Sequence, residues 1–186
     1  MRIGILRLGD LDQDVVNRLE ESLSSAFTTF EPVLIAEHVH LPDDAFDGLR
    51  KQYDADIILK IVKGYAERES EFDCVLGIVD ADLFVQRLNF VFGEAECPGK
   101  AALISIWRLK PEFSGRSSNR EVLHQRTVKE AVHELGHTLG LQHCSNPFCV
   151  MHFSNSIIET DVKKSFFCNK CLIEAEAAAA KKEAAS

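Results

Sequence analysis

Apolar residues along this chain change their period several times, and each change marks an element. Alternation from Arg2 to Leu8 predicts a strand, and after Asp10 or Asp12 the stripe Val15, Leu19, Leu23 and Phe27 predicts a helix. Pro32 to Val39 reads as a second strand. Ile57, Ile58, Ile61, Val62 and Tyr65 mark a second helix, and Cys74 to Val79 is a continuously apolar run of strand length. Two more strands are predicted at Phe90 to Ala95 and Ala101 to Trp107, joined through Glu96-Cys97-Pro98-Gly99 as an antiparallel hairpin, so that one of them lies at a sheet edge. Strands that alternate with helices predict an α/β layer fold with a mixed, mostly parallel twisted sheet and an antiparallel edge strand.

The longest periodic segment runs from about Asn119 to Leu139. Ser118-Asn119-Arg120-Glu121 fits a capping box at its start, and Thr127 to Glu130 offers a second one. Val128, Val132, Leu135 and Leu139 share one face, which is predicted to pack beneath the sheet. The opposite face carries the chemistry. His133 and His137 are four apart, so two imidazoles converge from one side of the helix. Gly140 suits a helix end, because glycine tolerates the left-handed conformation that turns the chain sharply, and the turn brings His143 back as a third ligand. Three histidines leave the fourth position of a zinc ion open for water, which separates a catalytic site from a structural one. Glu134, next to the first ligand and rotated toward that water, has the place of a general base.

A second constellation follows directly. Cys144 and Cys149, then Cys168 and Cys171, have the paired spacing of a structural zinc centre. Two disulfides, or a redox-active Cys168–Cys171 pair, are the competing readings. Disulfides need an oxidising compartment, and the N-terminus, with its short apolar run interrupted by charge, does not read as a secretory signal. No stretch is long enough to span a bilayer, so the expected location is cytoplasmic and the thiols favour metal.

These motifs resemble the archaemetzincins, a family of the metzincin clan. The three-histidine run His133-Glu134-Leu135-Gly136-His137-Thr138-Leu139-Gly140-Leu141-Gln142-His143 passes straight into Cys144, then Cys149-Val150-Met151, then Cys168 to Cys171. The spacer after Met151 is one residue shorter than the family pattern. Leu88 to Ala95 and Arg108 to Phe113 are similar to the family as well. The resemblance implies a metzincin-like fold and a zinc peptidase, aminopeptidase-like in some members. It also implies a catalytic zinc on His133, His137 and His143, Glu134 as base, and a second, structural zinc on Cys144, Cys149, Cys168 and Cys171. Met151 would form the Met-turn under the histidines, and Phe90, Val91, Phe92, Gly93, Glu94 and Ala95 would bind an extended peptide substrate along the edge strand. Because Cys144 follows His143, the second zinc is expected to buttress the third catalytic ligand.

Composition narrows the alternatives. With 186 residues, 46% of them hydrophobic, the chain can bury a core and needs one domain. Within 1–186, the sheet and its backing helices are expected in 1–117, the active-site helix in 118–140, the zinc-binding loop in 141–171, and a tail or helix in 172–186. The alanine-rich tail from Glu174 to Ser186 carries no chemical signal. A net charge of −8, from 21 basic and 29 acidic residues, disfavours nucleic acid and with it a zinc-ribbon module. A zinc-stabilised peptide-binding scaffold with a latent site is the other alternative, and Glu134 argues against it. His38 and His40 share one face of a strand end and are expected to be surface or hydrogen-bonded histidines. Asp80 and Asp82 suit a turn. His124, His152, Cys74 and Cys97 have no spacing that assigns them a role.

Overall fold

A computed structural model describes residues 1–26 and 30–183. In chain order the elements are β1 (Arg2–Leu8), α1 (Gln13–Ala26), β2 (Glu31–Val39), β3 (Phe46–Asp47), β4 (Gln52–Asp54) and α2 (Ala55–Arg68). Then come β5 (Cys74–Val79), β6 (Leu83–Val85), β7 (Leu88–Val91), β8 (Gly93–Ala95), β9 (Ala101–Ser105), α3 (Arg120–Thr138), α4 (Ile157–Val162) and α5 (Asn169–Glu183). Phe27 of the predicted α1 stripe and the last three residues of the tail lie outside the described residues.

The main sheet has the order β2-β1-β5-β9-β8. All its pairings are parallel except β8 with β9, where Gly93 faces Ile104 and Ala95 faces Ala102. This is the mixed sheet with one antiparallel edge that the periodicity predicts. Period-two alternation sorts each central strand between two cores. Ile3, Ile5, Cys74, Leu76, Ile78, Ala102 and Ile104 face α1 and α3. Leu6, Leu8, Val75, Val79, Ala101 and Leu103 face α2, against Ile58 and Val62. β5 is buried on both faces, which is why its sequence is an unbroken apolar run.

Three local differences from the sequence reading have physical causes. Phe90 to Ala95 is not one strand: the chain breaks at the buried Phe92, β7 joins a small second sheet of order β3-β4-β6-β7, and only β8 edges the main one. The strand from Ala101 ends at Ser105 rather than Trp107. The Ser105 hydroxyl donates to the Ala81 carbonyl at 2.6 Å and accepts from the Trp107 amide at 3.1 Å, which turns the chain. At the start of α3 the cap is Asn119, whose side chain accepts from the Val122 amide at 3.0 Å, so neither Ser118 nor Thr127 caps the helix. The segment from Leu141 to Cys171, expected to be a loop, contains α4, and α5 already begins at Asn169.

Among the described residues no helix is long and apolar enough to cross a membrane. The cap assignment makes a direct prediction. Asn119→Ala should lower stability by about 1 kcal/mol in chemical denaturation, and Ser118→Ala should leave the midpoint unchanged.

Candidate metal and peptide-binding site

Helix α3 holds the first two histidines, and its own side chains explain its placement. Val128, Val132, Leu135 and Leu139 are buried in the core under the sheet, so the His133 and His137 face is turned to a cleft. At Gly140 the backbone takes φ 93°, a left-handed conformation open to glycine, and the chain reverses toward His143. The ligand nitrogens of His133, His137 and His143 all lie within 4.8 Å of one another. His133 and His137 approach Nε2 to Nε2 at 3.2 Å. Their other ring nitrogens are committed: Nδ1 of His133 is 2.7 Å from the Val150 carbonyl, and Nδ1 of His137 is 2.8 Å from the Leu141 carbonyl. A carbonyl partner fixes Nδ1 as the donor and leaves Nε2 as the lone pair, the tautomer a metal requires.

Burial enforces the same state. It holds His133 well below the ordinary imidazole range, with Lys163 and His137 adding positive charge, and it lowers His137 and His143 as well. Neutral imidazoles are ligands; protonated ones are not.

Glu134 is buried beside them. Burial raises its carboxyl well above the ordinary range, the neighbouring Glu130 and Glu94 charges push the same way, and Lys163 opposes them. Its Oε1 lies 2.7 Å from where a side chain on Gly93 would begin, so the carboxylate reaches the edge strand only because residue 93 is glycine. A second notch sits at Gly136, where an added Cβ would come within 2.4 Å of the Met151 sulfur. Met151 is fully buried and lies against this turn of α3.

The four sulfurs of Cys144, Cys149, Cys168 and Cys171 also lie within 4.8 Å of one another, and the thiols are free. The Cys171 amide, helped by the surrounding thiols, lowers the Cys168 thiol to about 7, and burial raises Cys171. Four convergent thiols of a reduced cluster suit a tetrahedral zinc. The two clusters share backbone: the Cys144 amide donates to the Met151 carbonyl at 2.9 Å, one residue from the carbonyl that receives His133.

The cleft is a cavity of about 470 Å³ lined on one side by His133, Glu134, His137 and His143 and on the other by all of Phe90 to Ala95. Glu130 and Lys163 had no signal in the sequence, and several residues that did have one find structural partners. Glu130 lines the cleft floor and pairs with Lys163 at 3.0 Å, both side chains buried. His152 Nδ1 donates to the Cys144 carbonyl at 2.9 Å, so it braces the cysteine cluster. Arg108 chelates Asp82 and lies 4.3 Å from the centre of the Phe90 ring, which ties the two outlying segments of family resemblance together. Asp80 pairs with Lys110 at 2.5 Å. His38 bonds the Gly9 carbonyl at 2.6 Å, and His124 bonds Ser22 at 2.9 Å. Cys97 lines the cleft and Cys74 is buried.

Comparison with known proteins agrees with this geometry. Residues 3–177 match peptidase family M54. The chain belongs to that family, the archaemetzincins. An archaemetzincin of Methanocaldococcus jannaschii is 44% identical over 172 residues, covering 92% of this chain and 91% of that protein. The crystal structure of the Methanopyrus kandleri archaemetzincin is similar with a TM-score of 0.83 at 35% identity, over 96% of this chain and 94% of the other. That of a zinc-dependent peptidase from Methanocorpusculum labreanum gives 0.83 at 29% identity, over 93% and 99%. Family M54 membership makes the chain a zinc metallopeptidase, and the α/β metzincin-like fold is the one its relatives share.

The glycine notch at Gly136 separates itself from an ordinary helical glycine by sign. Gly136→Ala should destabilise the protein by about 1–3 kcal/mol, because the Met151 side chain must move. Gly64→Ala, in α2 with open space around it, should be neutral or stabilising by up to about 1 kcal/mol. Thermal and denaturant midpoints of the two variants check both.

Proposed function

We propose that the chain hydrolyses peptide bonds using a zinc ion held by His133, His137 and His143, with Glu134 as general base, and that Cys144, Cys149, Cys168 and Cys171 hold a second, structural zinc. The observation that carries this is the convergence of three imidazoles on one point, two of them oriented by backbone carbonyls, with a buried carboxylate beside them. When bound, the ion polarises the substrate carbonyl and makes a water acidic enough to be deprotonated near neutral pH, at a pKa of roughly 7.

The chain's own groups supply the rest. Burial makes Glu134 a strong base for a carboxylate, so it takes a proton from the attacking water and returns it to the departing amine. β8 is the last strand of the main sheet, and its outer edge offers main-chain groups to an extended peptide, which would lie against Glu134 across Gly93. Phe90 and Val91, on β7, would then form a separate wall of the cleft. An aminopeptidase-like preference is the finer form of this proposal, and the carboxylates lining the cleft support it. We take residues 1–186 as one catalytic domain, in which 118–140 presents the helix and 141–171 carries both the turn under it and the cysteine cluster.

Glu134→Gln should retain zinc and lose hydrolysis by at least about a hundredfold, the scale of a general base. Wild-type turnover by that variant would remove Glu134 from the mechanism. Burial lowers the folded pKa of all three histidines, so they stay neutral below the ordinary value of 6.5, and catalytic zinc should be retained at that pH and released only under more acidic conditions. Dialysis across the pH range with metal analysis reads this directly.

The shared backbone supports a buttress as well. In Cys168→Ser/Cys171→Ser, one zinc per chain should be lost and hydrolysis should fall with it, because the turn bearing Val150 and Met151 loses its second anchor. One zinc lost with full activity would leave the cysteine cluster without a role in the catalytic one.

A further inference from the structure

The two walls of the cleft do not stay apart along its whole length. One wall follows the chain from Phe90 through β8 to Cys97, and the other carries Gln142 and His143 beyond the end of α3. They meet at Cys97. The Gln142 side-chain amide donates to the Cys97 sulfur at 3.1 Å, and the Cys97 thiol donates to the Leu141 carbonyl at 3.5 Å. That carbonyl also receives Nδ1 of His137 at 2.8 Å, so the meeting point is held in register with the second histidine.

The loop that brings Cys97 across is anchored on several sides. The Gly99 amide donates to the carbonyl of Thr138, the last residue of α3, at 3.2 Å, and Lys182 of α5 donates to the Gly99 carbonyl at 2.7 Å. Glu96 accepts from the Lys100 amide at 3.1 Å and pairs with Lys63 of α2 at 2.6 Å. A thiol hydrogen bond is weak, but with the backbone behind it fixed, closure does not rest on that bond alone. The opposite end of the cleft differs. Leu88 and Asn89 on one wall and Phe153 and Asn155 on the other are exposed, so the walls open to solvent there.

A cleft open at one end and closed at the other admits a chain by its terminus. Glu134 approaches the edge strand at Gly93, and Ala95 is the last residue of β8. Between them an extended strand advances about 7 Å, the length of about two residues of a peptide lying beside it. A longer segment on that side would run into Gln142 and Cys97.

We propose that the Gln142–Cys97 contact is a stop that makes the cleft blind, so that a peptide enters by one of its ends and is cut within about two residues of that end. This rests on the peptidase reading of the same cleft, and it deepens that reading by naming the residues that set the place of the cut.

The test compares a linear peptide several times longer than the blind end with the same sequence closed head to tail, which has no terminus to offer. Each is incubated with the zinc-loaded wild type, Cys97→Ser and Cys97→Ala/Gln142→Ala; products are identified by mass spectrometry and zinc per chain is measured. The wild type should release short pieces from one end of the linear peptide and leave the ring intact. Cys97→Ser, which keeps a hydrogen-bonding atom in place, should do the same. The double variant should retain zinc and raise internal cuts relative to terminal ones by at least about tenfold, the ring included, because nothing fills the end of its cleft. If that variant loses zinc, Cys97→Ala and Gln142→Ala are read singly for the same shift, and the wild-type result on the ring stands as a test by itself. Internal cleavage or ring opening by the wild type overturns the proposal, as does a terminal pattern unchanged in a bridge-free variant that holds zinc. Calorimetry in the Glu134→Gln background separates the stop from the peptidase reading. Should nothing be cut while the linear peptide binds the parent and the ring binds only the bridge-free variant, the stop stands and the peptidase reading falls; a ring that binds both equally sinks the stop.

Discussion

Two consecutive carbonyls, those of Val150 and Met151, bind the ligand clusters into one unit. The first orients His133 and the second receives the amide of Cys144, while the Met151 side chain fills the notch left by Gly136 in the active-site helix. Neither cluster can shift without dragging this segment. Backbone hydrogen bonds of this kind are individually modest, but here they fix the orientation of a ring whose free nitrogen points at the other two imidazoles. Any binding energy gained at the cysteines becomes local order at the histidines, because the connecting backbone has little freedom to absorb it.

The same helix is held from its other side by charge. Arg126, 1% exposed, is bidentate to Asp161, and Lys129 donates to the carbonyls of Thr160 and Asp161 at the end of α4. One turn on, the buried Lys163–Glu130 pair closes the joint. Buried ion pairs contribute little net stability compared with apolar packing, yet they tolerate one register only. Placing three cationic contacts between α3 and α4 therefore fixes the rotation of α3, and with it the direction in which His133, Glu134 and His137 point. Lys163 also lies close enough to oppose the charge that Glu130 puts on Glu134.

The edge of the sheet faces this helix across the cleft. Because the chain breaks at Phe92, β8 is only three residues long, and the wall beyond it belongs to the second sheet. Arg108, locked to Asp82 and stacked on Phe90, holds that wall in place. The cleft is thus built from two sheets and a helix, and its acidity comes from the places where they meet.

By itself the sequence determined what is local or covalent. Strand and helix periods located β1, β2, β5, β9, α2 and α3 closely, because the side chains of one element report their own burial. Ligand spacing assembled both clusters, since His133 and His137 share a helix turn and Gly140 returns His143. Tertiary structure decided whatever depends on partners distant in the chain. The strands of the second sheet are two to four residues long and have too little pattern to stand out. Phe90 to Ala95 reads as one strand until two different partners, β6 and β9, divide it. Glu130 and Lys163 look like ordinary surface residues until α4 folds onto α3, and Glu94 looks like any edge carboxylate until α2 brings Asp54 and Asp56 against it. Period and spacing are written along the chain, whereas compensation of a buried charge is a property of the space that several segments enclose.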